Sequence, residues 1–207
     1  AGIARDDAAA LFDELTATAA RFGCRVAGGD TKRSSGPLVV NVTVIGRATD
    51  RPPLTRSGAR ADDAICVTGS FGGSILGHHL TFEPRVRAGL RLNRVHGAHA
   101  TIDVSDGLGG DVGQLARASG VGVVLDEGAL RGALRPELVA VSAAIGIDPL
   151  VLALEGGEDY ALVITTRGHR PHPASTRIGR VEAGQRALLA RVGGARVPVG
   201  SGFEHGA

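Results

Sequence analysis

The 207-residue chain contains no tryptophan, no methionine, one tyrosine and only 3% aromatic residues. That composition offers no stacking platform for single-stranded nucleic acid. Lys32 is the only lysine, and the arginines are spread along the chain without a run or stripe, so a net charge of +2 argues against a nucleic-acid partner. No apolar run approaches the roughly eighteen residues a membrane span needs, which argues against a membrane partner. Cys24 and Cys66 have no CxxC companion and each sits inside an apolar run, which predicts two buried thiols in a cytoplasmic protein. "NVT" at 41–43 fits the glycosylation pattern but sits in a strand-like stretch. Finally, the chain starts at Ala1 and enters a helical pattern almost at once, which predicts a piece of a longer protein.

What is present is an alternation of strand and helix patterns without a strict βαβ rhythm, so the expected class is α+β or mixed α/β. Leu11, Leu15, Ala19 and Phe22 recur at helical spacing and predict a helix over 7–22, with Asp6 as cap. "CRVAGGD" (24–30) and "PLVVNVTVIG" (37–46) predict strands, and the proline-rich segment 47–63 predicts a linker. Beyond it, strands are expected at 63–69, 100–105, 121–126 and in "YALVITT", with short strands near the end. Helices are expected after the glycine turn "GSFGGS", over 84–94, over 106–119 and over 135–145.

Three stretches share one design, a carboxylate beside glycine at a strand end: "GGDT" with Asp30, "DVSDGLGGD" with Asp103, Asp106 and Asp111, and "GGEDY" with Glu158 and Asp159. Glycine lets the backbone approach a ligand, and carboxylates are hard oxygen donors suited to magnesium, which keeps waters and completes its shell with phosphate oxygens. Asp106 can instead cap the helix that follows, as can Ser105. Asp103 falls at a strand end, where a bare carboxylate is costly unless paired or solvated. Asp111, one turn into the helix, is expected on a solvated face.

Absences narrow the chemistry further. There is no GxxxxGK[ST], the turn "GSFGGS" fails GxGxxG, and no protein-kinase signature set or GxSxG elbow occurs. The adjacent His78 and His79 cannot pair as i,i+4 zinc ligands. If ATP is used, metal ions, arginine and backbone amides must hold its phosphates, and Arg56 in "TRSGA" is the best arginine for that task.

The motifs "VAGGDTKRS", "LTRSGARADDAICVTG", "FGGSILGHHLTFEPRV", "IDVSDGLGGDV", "LEGGEDYALV", "RIGRVEAG" and "GFEH" resemble, in order and spacing, the thiamine-monophosphate kinases. These belong to a superfamily of ATP-dependent synthetases that includes aminoimidazole ribonucleotide synthetase and selenophosphate synthetase. The resemblance implies magnesium-assisted transfer of the γ-phosphate of ATP to thiamine monophosphate, a cytoplasmic homodimer, and a domain order in which 1–55 ends an N-terminal ATP-binding, dimerising domain and 56–207 forms a C-terminal, sandwich-like α/β domain. By motif position it implies magnesium ligation by Asp30, Asp103 and Asp106, nucleotide contacts from Gly29, Asp30, Arg56 and Ser105, and substrate contacts from Glu158 and Phe203. The family's N-terminal "GDD", "TTD" and "NLSD" motifs have no counterpart here, "GGEDYEL" reads "GGEDYAL", and Asp13 stands where a tyrosine is usual. Two alternatives stay open: a non-catalytic relative acting as a binding module, and another ATP-dependent synthetase of the superfamily.

Overall fold

A helix satisfies its backbone internally and a strand does not, and the first 47 residues show both cases. The computed structural model describes residues 3–33, 35–94, 97–167 and 175–200. The chain divides into two compact units, Ala1–Arg47 and Ala48–Ala207. In the first, α1 (Arg5–Arg21) satisfies its own backbone, with Asp6 and Asp7 in the first turn and Arg21 in the last complementing the helix dipole. Its cap is Ala4, without a side-chain bond, so the predicted capping by Asp6 is not realised. No α1 residue is buried.

The strands expected over 24–30 and 37–46 are not formed; among the described residues of this unit there is no ladder. Val39 is 80% exposed and Ile45 93% exposed. A period-2 pattern becomes a strand only when a neighbour takes its N–H and C=O groups and a surface covers its apolar face. Neither condition is met here.

In the second unit the apolar runs find each other. The elements are β1 (Ala64–Thr68), α2 (Val86–Arg94), β2 (Ala98–Asp103), α3 (Leu108–Ser119), β3 (Gly122–Asp126), α4 (Glu127–Ala133), α5 (Pro136–Ile145), α6 (Pro149–Glu155), β4 (Leu162–Thr166), β5 (Ser175–Glu182), β6 (Ala187–Ala190) and β7 (Arg196–Pro198). They build one seven-stranded sheet in the order β2-β4-β1-β5-β3-β6-β7. Its neighbours are antiparallel except for the parallel pair β3 and β6, so the architecture is the mixed α+β one expected. β1 is buried along its whole length, as a central strand should be.

Helix α3 packs on β2, β3 and β6, α4 on β3 and β5, and α6 against α3 and α5. Leu108, Val112 and Leu115, the predicted apolar stripe of α3, are all buried, and they join Ile65, Phe71 and Leu125 in a common core. The segment after "GSFGGS" departs from expectation. It forms two 3-10 turns, Ser74–Leu76 and His78–Leu80, divided by Gly77 at φ 78°. Ile75, Leu76 and Leu80 stay exposed, so no apolar face drives a longer helix.

The register sets up the site. Asp103 at the end of β2 lies opposite Leu162 at the start of β4, and the Leu162 amide donates to Thr68 Oγ1 at the end of β1. The loops that follow β1 and β2 and the loop that precedes β4 therefore emerge at one end of the sheet.

Candidate functional site

Two of those loops are tied together through their backbones. The Glu158 amide donates to the Ser105 carbonyl at 2.8 Å, and the Tyr160 amide donates to the Val104 carbonyl at 2.9 Å. Gly157 is required for this approach, because a Cβ there would collide with the Ser105 carbonyl oxygen. Glu158 and Tyr160 both sit at positive φ, 62° and 50°. Side chains rarely adopt that conformation, and it persists where surroundings over-determine it, commonly at functional sites. The Tyr160 ring stacks on Phe82 with centroids 4.3 Å apart, and Glu158 is exposed.

The loop after β2 is held from inside by Asp111. Contrary to the solvated position expected for it, Asp111 is 1% exposed. Its Oδ2 accepts from the Ser105 amide at 2.9 Å and the Asp106 amide at 3.0 Å. Burial pushes its carboxyl up to about 6; those two hydrogen bonds pull the other way, and the nearby charges of Asp106 and Asp103 add to the rise. The side chain belongs to the first turn of α3, whose dipole favours an acid, but its work is to fold the preceding loop back on the helix. Neither Asp106 nor Ser105 caps α3. The cap position is Gly107 at φ 104°, with no side-chain bond.

With the Ser105 and Asp106 amides committed to Asp111, two carboxylates remain at the surface of this loop. Asp103 is exposed and Asp106 half-buried. Asp106 Oδ2 accepts from Gln114 Nε2 at 3.4 Å, and Gln114 Oε1 in turn accepts from Arg56 Nη1 at 2.8 Å. Arg56 itself is fixed by its carbonyl, which accepts from Ser119 Oγ of α3 at 2.9 Å. Arg56, Gln114 and Asp106 are thus linked through their side chains, Ser105 and Glu158 are tied through their backbones, and Asp103 ends the strand that leads into the same loop.

The turn "GSFGGS" takes a different part from an anion cradle. Its Gly72 and Gly73 amides donate to the two oxygens of the buried Asp159, at 2.7 and 2.8 Å. Burial raises the Asp159 carboxyl above the usual range, against the pull of those two bonds and of His78 and Arg135 nearby. Gly72 is needed for packing, since a Cβ would meet Leu138 Cδ2 at 2.5 Å. Asp159 therefore docks one loop on another, and those amides are spent.

Gly29 and Asp30 lie in the first unit, both exposed, with Asp30 Oδ2 3.2 Å from Lys32 Nζ. Phe203 falls outside the described residues. Among the described residues no group of three or more histidine, cysteine, aspartate or glutamate side chains is arranged to hold a metal ion. Cys66 is buried as predicted and its thiol is pushed up by burial, whereas Cys24 is exposed, contrary to prediction, because the segment around it forms no strand. Among the described residues no single helix is long and apolar enough to cross a membrane.

Sequence reasoning missed Gln114 and misassigned Asp111. No local signal marks either, because both depend on how α3 meets the loops around it.

The mixed sheet flanked by helices is a synthetase-type fold. It is shared with the hydrogenase maturation protein HypE in its complex with HypF, at a TM-score of 0.70 and 18% identity over 97% of this chain and 74% of that one. No family model matches the chain. Curated relatives do. The thiamine-monophosphate kinase of Mycobacterium tuberculosis is 40% identical over 199 residues, spanning 88% of this chain and 58% of the relative. That of Rhodopirellula baltica is 33% identical over 98% of this chain and 66% of its own length. The solved AaThiL complexed with AMPPCP and TMP superimposes at a TM-score of 0.61 with 30% identity, over 70% of this chain and 52% of that one. The chain belongs to the thiamine-monophosphate kinase family. It spans less than two thirds of the length of the relatives it matches.

Proposed function

We propose that the complete protein phosphorylates thiamine monophosphate with ATP to give thiamine diphosphate. The observation that carries this reading is the tie between the "DVSDG" and "GGEDY" loops through Ser105 and Glu158. It joins the two acidic loops, and Gln114 links Arg56 to Asp106 of the same loop, in a chain whose relatives are thiamine-monophosphate kinases.

Asp103 and Asp106 are hard oxygen donors with room for waters, a set that fits magnesium as two carboxylates of an incomplete shell. Bound there, magnesium would neutralise charge on the phosphates. Asp30 and Gly29, in the first unit, are proposed as a magnesium ligand and a nucleotide contact on their motif positions alone. Ser105 and Arg56 would bind the phosphates, the arginine through its planar fork of donors. Glu158 and Phe203 would hold the thiamine part of the acceptor. With no covalent intermediate required, catalysis of this kind is positioning plus charge stabilisation, and these groups serve those two ends.

The reading extends to a cytoplasmic homodimer in which residues 1–55 complete an N-terminal, dimerising domain and 56–207 form the C-terminal domain. The test is direct: the full-length gene product, given ATP, magnesium and thiamine monophosphate, forms thiamine diphosphate. Absence of product from folded protein under those conditions would overturn the proposal.

A further inference from the structure

Between Arg56 and Asp106, two groups of opposite charge, the structure places a neutral amide. We infer that Gln114 is a positioning residue that holds the Arg56 guanidinium toward a phosphate and the Asp106 carboxylate toward a cation, while preventing the two from neutralising each other. The inference rests on the nucleotide-binding part of the function proposed above.

Chemistry fixes the orientation of the amide. A guanidinium only donates and an ionised carboxylate only accepts, so Gln114 satisfies both only with Oε1 toward Arg56 Nη1, at 2.8 Å, and Nε2 toward Asp106 Oδ2, at 3.4 Å. In direct contact, an arginine and an aspartate form a bidentate pair that consumes both charges and most of their hydrogen-bonding capacity. With the amide interposed, each charged group makes one bond to Gln114 and keeps its charge for a ligand.

The backbones on either side are already fixed. The Thr55 carbonyl accepts from the Thr101 amide at 3.1 Å, the Arg56 carbonyl accepts from Ser119 Oγ at 2.9 Å, and the Ala59 amide donates to the same Ser119 oxygen at 3.1 Å. On the other side, Asp111 holds the Asp106 amide at 3.0 Å. What those bonds leave free is the long Arg56 side chain, exposed at its loop. Gln114 restrains it, so the entropy of ordering the arginine is lost before the ligand arrives.

The experiment is calorimetric titration of the full-length gene product with AMPPCP over a range of magnesium concentrations, for wild type, Gln114→Leu and Gln114→Glu, with thermal unfolding of each. Gln114 is half-exposed, so Gln114→Leu should leave the unfolding midpoint within about two degrees of wild type. It should weaken the nucleotide Kd at saturating magnesium about tenfold. Gln114→Glu keeps the bond to Arg56 but adds a negative charge beside Asp106. It should need less magnesium for half-saturation and yet bind the nucleotide more weakly once magnesium saturates. That split between two constants is one a merely structural role would not produce. Wild-type affinity and magnesium dependence in Gln114→Leu would overturn the inference, as would losses in both variants that follow their unfolding midpoints. Wild type that binds no AMPPCP at any magnesium concentration would overturn both the inference and the nucleotide reading. Nucleotide binding with the predicted split but no binding of thiamine monophosphate would support the inference while faulting only the acceptor.

Discussion

The stretch "GGDT" near residue 30 and the two acid-glycine loops of the second unit look alike in sequence and differ in structure. Asp30 is 72% exposed at its side chain, pairs with Lys32 and sits in a segment with no ladder. In the second unit, each loop is built around one buried carboxylate that accepts two backbone amides: Asp111 for Ser105 and Asp106, Asp159 for Gly72 and Gly73. Of the acids nearer the surface, Asp106 has its amide held by the buried Asp111, and Glu158 directly precedes the buried Asp159 in the chain. An acid beside glycine is therefore two different devices. One is the folded loop's internal clasp, and the other is the donor the loop presents.

That contrast predicts a graded series of effects. Asp159→Ala should cost most, about 3 kcal/mol in denaturant unfolding, because it strands the Gly72 and Gly73 amides in a buried setting. Asp111→Ala should cost about 2 kcal/mol by the same measurement, since the amides it frees are only half-buried. Asp111→Asn, whose carbonyl oxygen can still accept both bonds, should recover most of that loss. Asp30→Ala should change stability by less than about 0.5 kcal/mol, as an exposed ion pair contributes little. Equal costs at Asp30 and Asp159 would abolish the distinction.

A fourth effect concerns acid. Arg131 bridges Glu127 at 2.9 Å and Asp148 at 2.7 Å. Its hydrogen bonds hold the Asp148 carboxyl down at about 2. A lowered folded-state value stabilises the fold above the ordinary carboxylate range, and the contribution is lost as pH falls from about 4 toward 2. Because the Asp148 side chain is 40% exposed, the loss should not exceed about 1 kcal/mol. Unfolding measured across that range should show it in wild type and not in Arg131→Leu.

The sequence made much of the second unit legible because its apolar periods were strong. β1 is a continuous buried run, and α3 shows Leu108, Val112 and Leu115 on one face. The short helices α4 and α6 were missed, although each carries a start signal that the structure uses. Asp126 accepts from the Ala129 amide and Asp148 from the Leu150 amide, with Pro149 at the first helical position. Seven residues are too few for a periodic pattern to outweigh the loop reading around them. The strand pattern over 37–46 misled for the opposite reason, since a good local period needs a partner that the described residues do not supply.

The exposure of Asp103 was readable, because a carboxylate at a strand end needs solvent or a partner, and Asp103 is exposed there. The burial of Asp111 was not. An acid in a helix's first turn satisfies the dipole whether or not it is buried, so only the packing of α3 against the loop distinguishes the two.

The measurement that tests the division of labour most directly is thiamine diphosphate formation by Asp103→Ala in the full-length gene product, with ATP and magnesium, beside its unfolding curve. An unchanged unfolding transition with product formation reduced at least a hundredfold is the predicted result. Full activity in the folded variant would contradict it.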